Sequence, residues 1–318
     1  MCFDPCSLAS PRKPHVYTAG ELAFSTKAYT ISKLKVTDDH SEVRVFGDRA
    51  RKNIALHIAL LFKKVLSIKN GLEIHASNLH PYTHCGFGSS AAIQTATALA
   101  INTAFGNPID GKEIVKFLSQ NYGEEIKGDN KLIHIQSNGG GPAVALKGGM
   151  VAIAGEGVII KQNAYPSGYS FVFGIPKSYV KADALQMFKK ELSVLPLFKK
   201  TSKEYAQDAS YLILHHLLPA MEEGRLKDIG DVIEKYRFDY GSLYNTGKVW
   251  PEMFELMHQL KPYRKKLGIE ILSTSSVGPA IYALTTNPSK AEELFKRHGL
   301  RTINLETDNQ GAIIHAKK

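Results

Sequence analysis

Over Ala50–Leu66 apolar residues recur at helical spacing, with Ile54, Ile58, Leu61 and Val65 on one face, and the pattern predicts an amphipathic helix. The chain before it reads differently. Phe24–Val36 is rich in β-branched and aromatic residues, and with Glu42–Phe46 it predicts strand structure. Asn70-Gly71 ends the helix and Leu72–Ala76 returns as a strand. Ser89–Phe105, dominated by small residues, predicts a long helix stopped by Gly106-Asn107-Pro108, and Gly111–Tyr122 predicts another. A glycine-rich stretch, 137–149, leads into the apolar strand Met150–Ala154, and the pattern then changes over Gly155–Gly168. After that break come a strand at Phe171–Ile175 and helical patterns over 201–222, 225–236 and 251–267. The close alternates strands Ile269–Ser273 and Ala280–Leu284, helix Ser289–His298, and strands Arg301–Leu305 and Ala312–His315. This order predicts an α+β protein of two domains, 1–165 and 166–318.

Charge narrows the partner. Against 30 Asp and Glu stand 40 Lys and Arg, a formal net charge of +10, which points to an anionic ligand: nucleic acid, a membrane surface or a phosphorylated small molecule. No run of about 18 apolar residues predicts a membrane span. Met1–Val16 lacks the apolar segment of a secretory signal. Basic runs interleaved with aromatics, the mark of a nucleic-acid binder, are missing from the sequence. Cys2, Cys6 and Cys85 are an odd number with no metal-ligand spacing, so free thiols and a cytoplasmic location are expected. What is left is a phosphorylated small molecule.

Three loops carry the candidate chemistry. In His84-Cys-Gly-Phe-Gly-Ser-Ser-Ala-Ala92, Gly86 and Gly88 allow a tight turn that aims backbone N–H groups at one anion. Ser89 and Ser90 then open a helix, where unpaired N–H groups favour phosphate, and Ala91 leaves room for a close neighbour. His84 could touch a phosphate, or it could be an exposed turn residue. The second loop, Gly139-Gly140-Gly141 followed by Gly148-Gly149, is the strongest glycine concentration. The third, Ser273-Thr-Ser-Ser-Val-Gly-Pro-Ala-Ile-Tyr282, is a hydroxyl-rich turn in which Ser275, Ser276 and Gly278 could meet an anion. The P-loop pattern G-x-x-x-x-G-K-[ST] is missing, and Gly86-x-Gly88-x-x-Ala91 is too far from its strand for a dinucleotide turn. His215 and His216, adjacent on a helix, point about 100° apart and do not suit one metal; one of them is expected to face the core. Lys189-Lys190, Lys199-Lys200 and Lys265-Lys266 are expected to be solvated.

At these loops the sequence resembles the GHMP superfamily of small-molecule kinases, in which Gly86-Phe-Gly88-Ser89-Ser90-Ala91-Ala92 matches the central phosphate motif. The resemblance implies a two-domain GHMP-kinase-like α+β fold with the active site in the inter-domain cleft. A closer similarity, from about residue 18 onward, is to the beta-ribofuranosylaminobenzene 5'-phosphate synthases of the methanopterin pathway. It rests on Pro81…His84-x-Gly86-Phe-Gly88-Ser89, Gly139-Gly-Gly141, Ile175-Pro176-Lys177, Leu217-Leu218-Pro219-Ala220 and Ser275-Ser276-Val-Gly278-Pro279. It implies the joining of phosphoribosyl diphosphate to 4-hydroxybenzoate or 4-aminobenzoate with loss of CO₂ and diphosphate. The alternatives are an ATP-dependent small-molecule kinase of the same fold and a non-catalytic phosphometabolite-binding relative.

The loop's Ser90-Ala-Ala92 has the kinase form. The aspartate that kinases of this superfamily place about seven residues before the paired glycines would, however, fall at Gly141. A kinase would therefore need a carboxylate brought from elsewhere, or none at all if proximity suffices. In either enzyme the resemblance implies His84 and Ser90 as catalytic, and Mg²⁺ shared by Ser90. It places the phosphate on Gly86, Gly88, Ser89, Ser90, Ala91, Gly139, Gly140, Gly141, Ser275, Ser276 and Gly278. A phosphorylated substrate, no nucleic acid or membrane partner, and room for a homodimer complete the expectation.

Overall fold

Strand β1 (Glu21–Phe24) enters the protein beside a strand from far along the chain, β7 (Met150–Ile153), with Leu22 paired to Ala152 and Phe24 to Met150. The computed structural model describes residues 20–47, 49–80, 85–126, 131–135, 137–177, 179, 184–276 and 278–315. The predicted strand from Phe24 is broken at Ser25–Tyr29 and resumes as β2 (Thr30–Thr37). Next come β3 (Val43–Gly47), helix α1 (Arg49–Val65) and β4 (Gly71–Asn78), which form a sheet in the order β2-β4-β3. Against it pack α1 and α2 (Ser89–Ala104), burying Ile54, Ile58, Phe62, Leu72, Ile74, Ile93 and Ile101 in one core.

Helix α3 (Gly111–Gln120) starts at Asp110, whose side chain accepts from the N–H groups of Lys112 and Glu113. The hairpin β5 (Tyr122–Ile126) and β6 (Lys131–Ile135) follows, and then α4 (Gly140–Lys147). Sequence reading expected no helix in that glycine-rich stretch. β7 and β8 (Ile159–Asn163) complete the sheet β1-β7-β8.

The second half is built on β9 (Ser170–Pro176). Helices α5 (Ala184–Glu204), α6 (Ala206–Leu212) and α7 (Leu218–Glu222) come next, the last two joined by a π-helical turn at Ile213–Leu217. Helices α8 (Leu226–Phe238), α9 (Ser242–Gly247) and α10 (Pro251–Lys266) lead to β10 (Ile269–Thr274), β11 (Ile281–Thr285), α11 (Pro288–Arg297) and β12 (Leu300–Glu306). Their sheet runs β10-β11-β9-β12, all neighbours antiparallel, so β9 is central despite being first in sequence.

Two expectations fail here. Ala312–His315 is not a strand: the segment after β12 is turned back by Asp308, which accepts from Ser25 and from the N–H groups of Gln310 and Gly311. Neither His215 nor His216 faces the core; the π turn leaves both exposed beside the ring of Tyr211. The lysine pairs at 189–190, 199–200 and 265–266 are exposed as expected. Among the described residues no helix is long and apolar enough to cross a membrane. Cys85 is a free thiol whose pKa burial pushes up to about 12, so it stays protonated and unreactive. Cys2 and Cys6 lie outside the described residues.

Candidate functional site

The loop Cys85–Gly88 bends through two glycines in the left-handed region, Gly86 at φ 93° and Gly88 at φ 64°. Gly88 is the N-cap of α2. It offers no side-chain cap, and nothing lies within 4 Å of where its Cβ would be. The first turn of α2 is therefore approachable, and its N–H groups and dipole favour an anion there. The glycine also has a packing reason at position 86, where a Cβ would come within 2.5 Å of the Ser275 carbonyl oxygen.

Ser275 belongs to the turn between β10 and β11. Its Oγ donates a 2.7 Å hydrogen bond to the Gly86 carbonyl, tying the third loop to the first. The turn closes on itself through Ser275 N–H to Ala280 O at 2.8 Å and Gly278 N–H to Ser275 O at 2.9 Å. Beneath it lies Arg237 of α8, fully buried. Its guanidinium donates to Ser273 Oγ, Ser242 Oγ and the carbonyls of Thr274 and Ser276, at 3.0–3.1 Å. Arginine's planar fork suits this task, since one side chain holds the carbonyls on either side of Ser275 while propping the strand before the turn.

The second glycine run works through packing. A Cβ at Gly141 would fall 2.6 Å from Ala91 Cβ, so glycine there lets α4 lie close against α2. At Gly139 a Cβ would strike Ser119 Oγ, and at Gly140 it would strike the carboxylate of Glu21. The Gly140 N–H, the first of α4, donates to Glu21 Oε2 at 3.1 Å. Glu21 keeps some surface, yet protein surrounds it closely enough that loss of hydration pushes its carboxyl above the ordinary range. The Gly140 hydrogen bond opposes this more weakly.

These parts enclose a cavity of about 170 Å³. Gly86–Gly88, Ser275 and Ser276 line it together with Gly141 and Val144 of α4. Its walls are aromatic: Phe24, Phe87, Phe171, Phe173 and Tyr282. The rings of Phe87 and Phe173 sit 4.5 Å apart and join the two halves of the chain. Burial pushes the Tyr282 hydroxyl up to about 12, so it remains a neutral phenol. Among the described residues that line the cavity, Glu21 is the one charged side chain.

Of the sequence candidates, Gly86, Gly88, Gly141, Ser275 and Ser276 line this cavity. Gly278 supports the turn. Gly139 and Gly140 do not reach the cavity wall, because their missing side chains are replaced by Ser119 and Glu21. Ser89 faces a small recess beside Thr30 and His80, while Ser90 and Ala91 are buried in the α2 packing. His84 lies outside the described residues. Ser90 is a single covered hydroxyl, and no cluster of three His, Cys, Asp or Glu side chains occurs among the described residues. These residues do not make a resident magnesium centre, which calls for several oxygen ligands.

Glu21 is the site residue that sequence reading passed over. Its signal was present: one carboxylate in the otherwise apolar run Gly20-Glu21-Leu22-Ala23-Phe24.

A glycine-serine loop lines a cavity in this α+β fold, and comparison with known proteins shows which structures share that fold. The GHMP kinases N terminal domain family matches residues 53–136. Mevalonate diphosphate decarboxylase from Staphylococcus aureus has the same fold, with a TM-score of 0.66 at 14% identity, covering 92% of this chain and 88% of that one. Homoserine kinase from Cytophaga hutchinsonii gives 0.56 at 18% identity, over 92% and 96% of the two chains. A third structure, of MDDEF in complex with MVAPP, AMPPCP and magnesium, gives 0.59 at 15% identity, over 92% and 89%. No curated protein matches the sequence. Residues 53–136 thus match the GHMP N-terminal domain, and the chain as a whole has the fold of these kinase and decarboxylase structures.

Proposed function

We propose that the protein is an ATP-dependent small-molecule kinase of the GHMP type, the phosphates held at the Gly86–Ala91 loop and the acceptor in the adjoining cavity. The observation that carries this reading is the open space at Gly88, the N-cap of α2, which lines that cavity. Backbone N–H groups there are fixed before the reaction, so they stabilise charge developing on the leaving diphosphate without reorganising. The kinase form of the loop, Ser90-Ala91-Ala92, agrees with it, as does the AMPPCP-bound relative. Residues 1–165 supply the loop and 166–318 the Ser275–Gly278 turn, and the ligand lies between these two domains. Magnesium arrives on the phosphates of the nucleotide. The net charge of +10 draws that polyanion in without making the contacts itself.

The phosphoribosyl-transfer reading keeps one observation in its favour. The aromatic walls at Phe24, Phe171, Phe173 and Tyr282 would accept a flat acceptor such as 4-hydroxybenzoate, with diphosphate leaving toward the loop. Thermal shift and turnover separate the two readings. Mg-ATP is expected to raise the melting temperature and to yield ADP when an alcohol is present. Stabilisation by Mg-phosphoribosyl diphosphate but not by Mg-ATP, with CO₂ released from 4-hydroxybenzoate, would establish the synthase instead.

A further inference from the structure

The cavity has a chemistry that its loops do not explain. Glu21 and Gly86–Gly88 line the same space, so a molecule bound there would meet both a carboxylate and the glycine loop. Glu21 comes from β1, while the strand and helix that hold it come from more than a hundred residues later. Its carboxylate fills the space that a side chain at Gly140 would need. Gly140 N–H fixes Oε2, and no hydrogen bond from a described residue reaches Oε1. Of the elements against it, β7 has no titratable side chain, and α4 has only Lys147 at its far end. Ser275, Ser276 and the neutral phenol of Tyr282 line the same cavity.

We propose that Glu21 is the general base of this site and that the cavity takes an uncharged alcohol with an apolar or aromatic body. The inference rests on the kinase reading and deepens it. The acceptor O–H gives its proton to Glu21 Oε1. The oxygen forms its bond to the γ-phosphorus, and the bond from that phosphorus to the β-bridging oxygen breaks, its electron pair leaving on ADP. The proton passes to water when the product departs. A carboxylate- or phosphate-bearing acceptor would place its charge in an aromatic chamber whose one charged side chain among the described residues is itself acidic, which low local dielectric makes costly. The acceptor's body instead stacks against Phe171, Phe173 and Tyr282. The absence of an acidic residue at Gly141 is then no obstacle to phosphoryl transfer, because β1 delivers the carboxylate that the helix lacks.

The test uses the full chain with Mg-ATP and four acceptors: 2-phenylethanol and 4-hydroxyphenethyl alcohol, which are uncharged, and homoserine and mevalonate, which are not. Acceptor-dependent ADP formation is expected to be at least about 10-fold faster with the uncharged pair. Glu21→Gln is expected to lower kcat by about 100-fold, a general-base-sized loss, while the thermal shift given by Mg-ATP stays that of the parent. Glu21→Asp should recover part of the rate, and the acid limb of the pH–rate profile should vanish in Glu21→Gln. A Glu21→Gln enzyme within threefold of the parent kcat overturns the base. Faster turnover of homoserine or mevalonate, or Mg-ATP binding with no turnover of either uncharged alcohol, overturns the acceptor class. Failure of Mg-ATP to bind the parent chain would instead refute the kinase reading beneath both.

Discussion

The hydroxyl of Ser275 and the carbonyl of Gly86 are 189 residues apart in sequence and joined by a 2.7 Å hydrogen bond. That bond fixes the turn of the second half against the Gly86–Gly88 loop of the first, and both line the cavity. Replacing Ser275 by Ala should cost about 1 kcal/mol of stability, the net worth of one such bond. Urea unfolding measures that loss. The KM for Mg-ATP should rise more than kcat falls, because the loop loses its support and not its N–H groups.

The two glycines of the loop should respond differently to alanine. At Gly86 the left-handed backbone and the Ser275 carbonyl, 2.5 Å from the new Cβ, act together. Conformational strain of about 1–2 kcal/mol and overpacking of about 1–3 kcal/mol make Gly86→Ala severely destabilising. At Gly88 the backbone is left-handed but the space is open, so Gly88→Ala should cost only the strain. Denaturant midpoints of the two variants give the comparison, and equal losses would contradict the packing account.

Arg237 offers a stability test away from the ligand. Arg237→Met keeps much of the buried volume but strips donors from Ser242 Oγ and from the carbonyls of Thr274 and Ser276. Buried acceptors left unpaired should cost about 3 kcal/mol or more in total. Loosening the turn should also weaken Mg-ATP binding, which calorimetry would detect.

Glu21 should leave a signature in the pH dependence of stability. Its native pKa is raised, chiefly by lost hydration, so across the window above the ordinary carboxylate value the native state binds more protons than the unfolded one. The stabilising contribution of the protonated form is complete below the unfolded pKa and is lost as pH rises through the native one. Glu21→Gln stays neutral, so it should be at least as stable as the parent at pH 8, with the difference closing toward pH 4.5. Chemical unfolding across that range checks the sign, and a parent that gains stability over Glu21→Gln with rising pH would contradict it.

Much of the architecture could be read from local pattern. The helix near 50–66, the long small-residue helix from Ser89 and the closing strand-strand-helix-strand series all stand where periodicity put them. The misses share a cause. Helix α4 was hidden because glycines at its start read as a loop, although they are there for close contacts with Glu21 and Ala91. Ala312–His315 holds the β-branched pair Ile313-Ile314, which suits a strand, but Asp308 holds the chain in a turn just before it.

The sequence by itself determined the class of loop: two glycines before Ser89-Ser90, a run of three more, and a serine-rich turn, each dictated by local backbone geometry. Only the tertiary structure decided which of them share a cavity. It showed that Gly139 and Gly140 are glycine for packing, and that the acidic group of the site comes from β1. Turn conformation and capping act over a few residues and leave a mark in the sequence. The meeting of Glu21 with Gly140, or of Ser275 with Gly86, is set by how sheets and helices bury their apolar faces across the whole chain.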